Sequence, residues 1–492
     1  MKKPTGDLFR SIPPVFYLLI VLIGLQLFIA LLTNGFALSQ DEAMWHYIGR
    51  NWFRNGLVPY SGGTDNKSPL FYIIFGISDL LFGVNYWFPR VFGALFQSVG
   101  IFFLYKIANQ LAGSRAGLLA VSFYGLSVLW HGADGRYVSY TETYEITFII
   151  ISFYLLLNAE NKTRIFFGGI LSAIALMFRL SAFFAIVALL VMCVRKGKKS
   201  VIYFSTGLIF GFFAIIMAGV LAGIDPREVY FYTIADNFGA GSTTDHDFLW
   251  RTVQFYNLFF YSEIILFYPL VLAYLFIKRK FDWLLIWLTS AFIGINIIGN
   301  YARVDMKELL PAMALIGALS VQYVVDTWHV SFKKVMFIIW ICFSPRLIEP
   351  FVNVKRLFTG EFQFAENFCH EPFIPPDESA SRQLGLWVKA TTKPADKVYV
   401  AGFGSQVQAY SERISPSIYF NVTQTQAAKQ TIFNDLNKRH PEVILVPLFP
   451  EYKQYVSVDL RNLVDSLAAK YYQLDHCMFN YDVYRLKPPH LN

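Results

Sequence analysis

Long apolar runs separated by short basic loops dominate this chain, and their positions predict about eleven membrane-crossing segments. The runs are Val15–Thr33, Val91–Leu111, Gly117–Trp130, Tyr144–Asn158, Ile165–Phe178, Leu180–Val194, Val201–Ile224, Phe259–Ile277, Trp283–Ile298, Leu309–Val325 and Val335–Ile348. Several fall short of the roughly 20 residues that cross a bilayer unaided, so only their centres are fixed by the pattern. A further apolar stretch, Pro69–Gly83, contains Ser78 and Asp79 and is expected to lie at the outer interface without crossing. With the end bearing Lys2, Lys3 and Arg10 in the cytoplasm, the loops carrying Lys106 and Arg115, Lys162 and Arg164, Arg195 to Lys199, Lys278 to Lys280, and Lys333 with Lys334 then all face inward. The first run lacks a small-residue cleavage site and leads straight into a charged loop, so it reads as an uncleaved anchor.

After Glu349 the pattern becomes that of soluble sequence. Pro372, Pro375 and Pro376 mark a linker, after which helical periodicity at Ser379–Thr391, Gln426–Arg439 and Val458–Tyr471 alternates with the strand-like runs KVYVAGF, VILVPLF and DVYRL. The expected organisation is a helical polytopic membrane domain over 1–348 with a large first outer loop at 35–89, a linker at 349–378, and an outward α/β domain over 379–492. The AGFGSQ turn, with Gly402 and Gly404, lacks the third glycine of a dinucleotide loop and reads as a structural turn.

Composition agrees with the pattern. Of 492 residues 55% are hydrophobic and only 15% charged, whereas soluble domains carry about 25% charged residues. The net charge of +8 is held in the short loops between apolar runs, so it encodes topology and not a nucleic-acid surface. No HExxH, CxxC, Walker or GxSxG motif occurs, which removes support for metalloprotease, dithiol, P-loop and nucleophile-elbow chemistry. Cys193 and Cys342 lie in apolar runs, whereas Cys369 and Cys477 both fall in the outward region, where an oxidising compartment permits a disulfide that sequence alone does not establish.

The first outer loop, SQDEAMWHYIGRNWFRNGLVPYSGGTDNKSPL, collects Asp41, Glu42, Asp65 and Lys67 directly after an apolar run. Charges beside a bilayer are expensive unless they stay wet or do chemistry. Ser39-x-x-Glu42 forms a capping box, and Trp45, Ile48 and Trp52 recur at helical spacing, which predicts an amphipathic helix over Asp41–Asn55. In the bland reading Glu42 caps that helix and Asp41 complements its dipole. The return of Asp65 and Lys67 in the following loop favours a functional Asp41.

The order DEA, an aromatic-rich helix, G-x-x-PY and then D-x-K-x-PL resembles the first outer loop of membrane glycosyltransferases with the GT-C fold. The particular resemblance is to the dolichyl-phosphate-mannose protein mannosyltransferase and aminoarabinose transferase superfamily, and it covers about Val15 to Ile348. It implies a polyprenyl-phosphate-linked sugar as donor, Asp41 as catalytic carboxylate, Lys67 near the donor phosphate and Glu142 as a second acidic residue. The chain has Met44-Trp45 where aminoarabinose transferases have Arg-Tyr, and Asn66-Lys67-Ser68-Pro69 where they have Glu-Lys-Pro-Pro, so the resemblance does not specify the sugar or the acceptor.

Chemistry gives these residue types independent reasons. An acceptor hydroxyl needs a base as it attacks the anomeric carbon, and a phosphate leaving group needs fixed cations. Lys67, Arg136, Arg179, Arg303 and Lys307 are expected at the donor phosphate, and Glu42, Trp45, Tyr60, Asp65, Tyr137 and His246 as substrate contacts. No organic cofactor is implied, and a divalent metal remains compatible with the acidic residues. The expected partners are a polyprenyl-phosphate sugar, a protein, lipid or glycan acceptor and membrane lipids, with the site on the outer face of a bacterial inner membrane. A lipid-linked saccharide transporter or a pyrophosphate-donor oligosaccharyl transferase or ligase are the alternative readings.

Overall fold

Apolar runs become helices wherever their backbone groups must be satisfied internally. A computed structural model of the chain describes residues 13–32, 36–130, 138–157, 161–236, 248–278, 282–299, 301–344, 367–370, 378–421, 426–448 and 456–488. The first helices are α1 (Pro14–Leu32), α2 (Gln40–Asn55), α3 (Pro69–Phe82), α4 (Trp87–Ser127), α5 (Thr141–Leu157), α6 (Lys162–Phe178), α7 (Ala182–Lys196) and α8 (Lys198–Leu221). A short α9 (Pro226–Tyr230) runs into a π-helical turn at Phe231–Ala235. Then follow α10 (Phe248–Phe259), a 3₁₀ turn (Glu263–Phe267), α11 (Tyr268–Lys278), α12 (Trp283–Ile298), a second 3₁₀ turn (Arg303–Glu308), α13 (Leu310–Trp328) and α14 (Phe332–Phe343). α4 leaves helical geometry at Ala112 and Gly113, between the two apolar runs expected on either side of Arg115.

Among the described residues, α1, α4, α8 and α13 are each long and apolar enough to cross a bilayer, and α10 with Glu263–Lys278 forms a further pair bent by 51°. The other expected crossings form shorter helices, such as α5 and α6 with 17 residues each and α7 with 15. The chain is a multi-pass membrane protein.

The chain divides into two units, the first comprising 1–31, 90–215 and 246–352. Its core is aromatic and aliphatic: Phe153 stacks on Trp287 with centroids 3.9 Å apart, and Trp130 stacks on Phe343 at 5.6 Å. α8 keeps Ile202, Ile209, Phe210, Phe213 and Met217 exposed, which is the composition of a lipid-facing helix.

The second unit comprises 32–89, 216–245 and 353–492. Here α2 lies against α3, and Gly49 sets the closeness of that approach, because a Cβ there would come within 2.5 Å of the Gly76 amide nitrogen. The remaining elements are α15 (Glu378–Thr391), β1 (Val398–Val400), α16 (Ser405–Ser411), α17 (Gln426–Lys438), β2 (Val443–Pro447), α18 (Val458–Tyr471), β3 (Tyr472–Met478) and β4 (Tyr481–Leu486). The strands form one sheet in the order β1-β2-β4-β3, with β1 and β2 parallel and the other pairs antiparallel. AGFGSQ is the turn between β1 and α16, and Gly402 takes a φ of 104°, which side chains rarely adopt. Cys369 and Cys477 are joined in a disulfide that ties the segment before α15 to β3.

The first loop is fastened to α16 and its flanks by hydrogen bonds across more than 350 residues of sequence. The Leu38 amide donates to the Tyr410 hydroxyl at 2.8 Å, and the Ser405 hydroxyl donates to the Gln40 carbonyl at 2.7 Å. Tyr47 accepts from the Ser415 amide at 2.9 Å, the Thr64 amide donates to the Ile418 carbonyl at 3.0 Å, and Arg50 pairs with Glu412 at 2.7 Å. Loop backbone that would otherwise need water is therefore satisfied by the C-terminal region.

Candidate functional site

The helix that carries Asp41 starts at a reciprocal cap. The Glu42 amide donates to the Ser39 hydroxyl at 3.3 Å and the Ser39 amide donates to the Glu42 carboxylate at 2.9 Å, so Glu42 is committed to the cap. Glu42 is fully buried, whereas Asp41, one residue earlier, is half-buried in the first turn of α2. A carboxylate there sits at the positive end of the helix dipole.

The aromatic residues expected to meet a sugar are used differently. Trp45 is 1% exposed, packs edge-on to Phe71 at 4.7 Å, and donates its indole N–H to Asp65 at 2.8 Å. Tyr60 is equally buried, stacks on Tyr232 at 5.0 Å and donates its hydroxyl to the Lys67 carbonyl at 2.8 Å. These contacts make Trp45 and Tyr60 core residues of the loop, each with its polar end engaged inside it. Asp65 holds Trp45, and Tyr60 holds the Lys67 backbone, so both residues that return in the loop are positioned by buried aromatics. The Lys67 ammonium itself is half-buried and donates to Asn66 at 2.8 Å.

Beneath the loop, α2 carries a histidine that sequence reading passed over. His46 is fully buried, its Nε2 accepts from the Asn85 amide at 3.4 Å, and its Nδ1 lies 3.7 Å from Asp79, which also pairs with Arg54. Burial lowers its pKa from 6.5 to about 4, against the opposing pull of Asp79. The folded protein thus keeps His46 neutral while the unfolded chain protonates it. The associated stability is complete above pH 6.5 and is withdrawn as pH falls through 6.5 toward 4. Over that window the loss is about 3 kcal/mol. Melting curves between neutral and mildly acidic pH should show it, and His46→Gln should flatten the dependence; an equal slope in both proteins would contradict the assignment.

In the first unit, three elements meet at an arginine. Arg179 ends α6, where its amide caps onto the Ala175 carbonyl. Its guanidinium pairs with Glu142 from α5, with Asp305 at 2.6 Å and with Glu308 at 3.2 Å, the last two from the 3₁₀ turn before α13. The Ser181 hydroxyl donates to Glu308 at 2.7 Å and the Thr141 hydroxyl to Glu142 at 3.1 Å. Burial opposes the arginine's charge, yet Glu308 and Asp305 outweigh it and raise its pKa. Burial likewise pushes the Glu308 carboxyl up, with Arg179 opposing. Arg179 was expected at the donor phosphate, and its guanidinium is instead occupied by carboxylates. Lys307 is 1% exposed and donates to the Thr143 hydroxyl at 3.4 Å, whereas Arg303 is exposed.

Arg136, Tyr137 and His246 lie outside the described residues. Asp305, Glu308, Ser181 and Glu145 were not singled out by sequence, although acidic residues at the edges of the apolar runs of α5 and α13 are the kind of signal that marks function in a membrane protein. Among the described residues no three His, Cys, Asp or Glu side chains are arranged to hold a metal ion.

A family model described as dolichyl-phosphate-mannose-protein mannosyltransferase matches residues 66–221. A search of the curated proteins gave no match. Among solved structures the chain is similar to ArnT from Cupriavidus metallidurans in the apo state, with 12% identity, a TM-score of 0.63, and coverage of 96% of this chain and 97% of that one. The same protein bound to undecaprenyl phosphate matches with 12% identity, a TM-score of 0.58 and the same coverage. The oligosaccharyltransferase of Archaeoglobus fulgidus matches with 11% identity and a TM-score of 0.53, covering 96% of this chain and 74% of that one. The fold is the GT-C fold of membrane glycosyltransferases. Within it, the chain resembles the dolichyl-phosphate-mannose protein mannosyltransferase and aminoarabinose transferase superfamily.

Proposed function

We propose that this protein is a membrane glycosyltransferase that moves one sugar from a polyprenyl phosphate to a hydroxyl-bearing acceptor on the outer side of a bacterial inner membrane. The observation that carries the reading is the near end-to-end likeness to a protein whose structure holds undecaprenyl phosphate, together with the mannosyltransferase family match. The half-buried carboxylate of Asp41, one residue before the capping Glu42, supports this reading.

In this mechanism the acceptor oxygen attacks the anomeric carbon while Asp41 takes its proton. The bond from that carbon to the phosphate oxygen breaks, its electron pair leaves with the polyprenyl phosphate, and the configuration inverts. Lys67 counters the charge that grows on the phosphate. Arg303 remains an exposed candidate for the same charge.

Lys67→Ala should raise the donor concentration needed for half-maximal rate while melting stays near wild type, since its ammonium is half-buried and among the described residues donates to the neighbouring Asn66 side chain. Unaltered donor dependence would remove Lys67 from the phosphate. The orientation is checked separately by single cysteines in a background without Cys342. A membrane-impermeant maleimide should modify cysteines placed at Asn66 and Asn434, both exposed, from outside intact cells, and should spare one at Lys198. The opposite pattern would place the loop in the cytoplasm.

A further inference from the structure

Next to the arginine cluster the first unit encloses a small cavity of about 10 Å³, lined by Glu145, Ser181, Glu308, Trp287 and apolar side chains of α5, α7, α12 and α13. That is close to the room one water molecule needs. Glu145 is 2% exposed, and among the described residues its Oε2 has no hydrogen-bond partner. A buried carboxylate oxygen left dry and unpaired is costly, so this one calls for an occupant.

The charges around it decide what the occupant is. Ser181 and Glu308 line the cavity with Glu145, Asp305 adds its charge from the same 3₁₀ turn, Tyr124 of α4 lies near enough to feel the Glu145 charge, and Glu142 stands one turn earlier on α5. Arg179 already serves Glu142, Asp305 and Glu308. Glu145 meets chiefly the negative charges of Glu308 and Asp305. A fourth carboxylate charge here would have to be neutralised by a cation or by a proton. Among the described residues no three ligating side chains are disposed around a metal position, which favours the proton.

We propose that Glu145 is a neutral carboxylic acid whose proton is donated to one water in this cavity, the water in turn donating to Glu308. Glu145 is then a positioning residue: the bridged water adds a hydrogen bond to the carboxylate that, with Ser181, holds the Nε side of Arg179. This holds whether or not the protein is a glycosyltransferase.

Infrared difference spectra at neutral pH, wild type minus Glu145→Gln, test it on the full chain in detergent or nanodiscs. The expected result is loss of one deuterium-sensitive C=O band of a protonated carboxylic acid, with melting and turnover close to wild type because Gln keeps the size and the donor. Loss of carboxylate bands instead would overturn the proposal, and so would carboxylate bands that respond to sodium or magnesium, which would mean a bound cation. If Glu145→Gln fails to fold, Glu145→Asp serves: it should shift the protonated C=O band, and a shift confined to carboxylate bands would equally overturn it.

Discussion

Asp41→Asn should reduce turnover by roughly 10²–10⁴-fold, the usual worth of a positioned general base, with donor affinity left close to wild type. Asn keeps the size of the side chain and its capacity to accept a hydrogen bond, so the first turn of α2 is undisturbed, yet it cannot take a proton from an acceptor hydroxyl at neutral pH. The cap belongs to Ser39 and Glu42, whose two reciprocal bonds are intact in the variant. The control is therefore Glu42→Gln, which keeps an oxygen for the Ser39 amide and should retain most activity, whereas Glu42→Ala should destabilise the helix start by about 1 kcal/mol. The pair is read in a reconstituted assay with radiolabelled polyprenyl-phosphate sugar. Turnover by Asp41→Asn within a few-fold of wild type would sink the general-base role, and loss of donor binding alongside turnover would make Asp41 an organiser of the loop.

Arg179→Ala is expected to cost about 3–5 kcal/mol of stability, because removing one side of a buried ion cluster leaves the other charges uncompensated. Glu142, Asp305 and Glu308 lose their shared partner at once, and each is at least nine-tenths buried. The loss should appear as a lower melting temperature or poor recovery from the membrane, and adding Glu308→Gln should restore part of it by removing one of the stranded charges. A structural role predicts that rescue. If Arg179→Ala melts like wild type and only donor use falls, the guanidinium serves the phosphate, as the sequence pattern had led us to expect.

The difference between those outcomes shows how far the sequence reached. The apolar runs, the basic loops and the capping box are local patterns, and they reappear as α1, α4 through α8, α12, α13 and the start of α2. α15, α17 and α18 likewise follow their periodicity to within a residue or so at each end. β3 escaped notice because YQLDHCM has no clean alternation and its pairing with β4 supplies what its pattern lacks. For Trp45 and Tyr60 the spacing shows that a face is apolar but not what covers it; in the fold Phe71 and Tyr232 pack against them. Arg179 sits 126 and 129 residues from Asp305 and Glu308, and a pairing across such a distance leaves no trace in local spacing. The docking of the first loop onto α16 is hidden for the same reason, since it is made largely through backbone atoms and single hydroxyls.

Sugar transfer can be followed by giving the purified, reconstituted protein a polyprenyl-phosphate sugar, isolated from cells that lack the protein, together with a membrane extract as acceptor, and tracking the lipid by mass spectrometry. The donor should be converted to free polyprenyl phosphate, the sugar should appear on an acceptor with inverted anomeric configuration, and both changes should disappear with Asp41→Asn. Movement of the intact lipid-linked sugar across the bilayer with no free polyprenyl phosphate formed would contradict sugar transfer and identify a transporter instead.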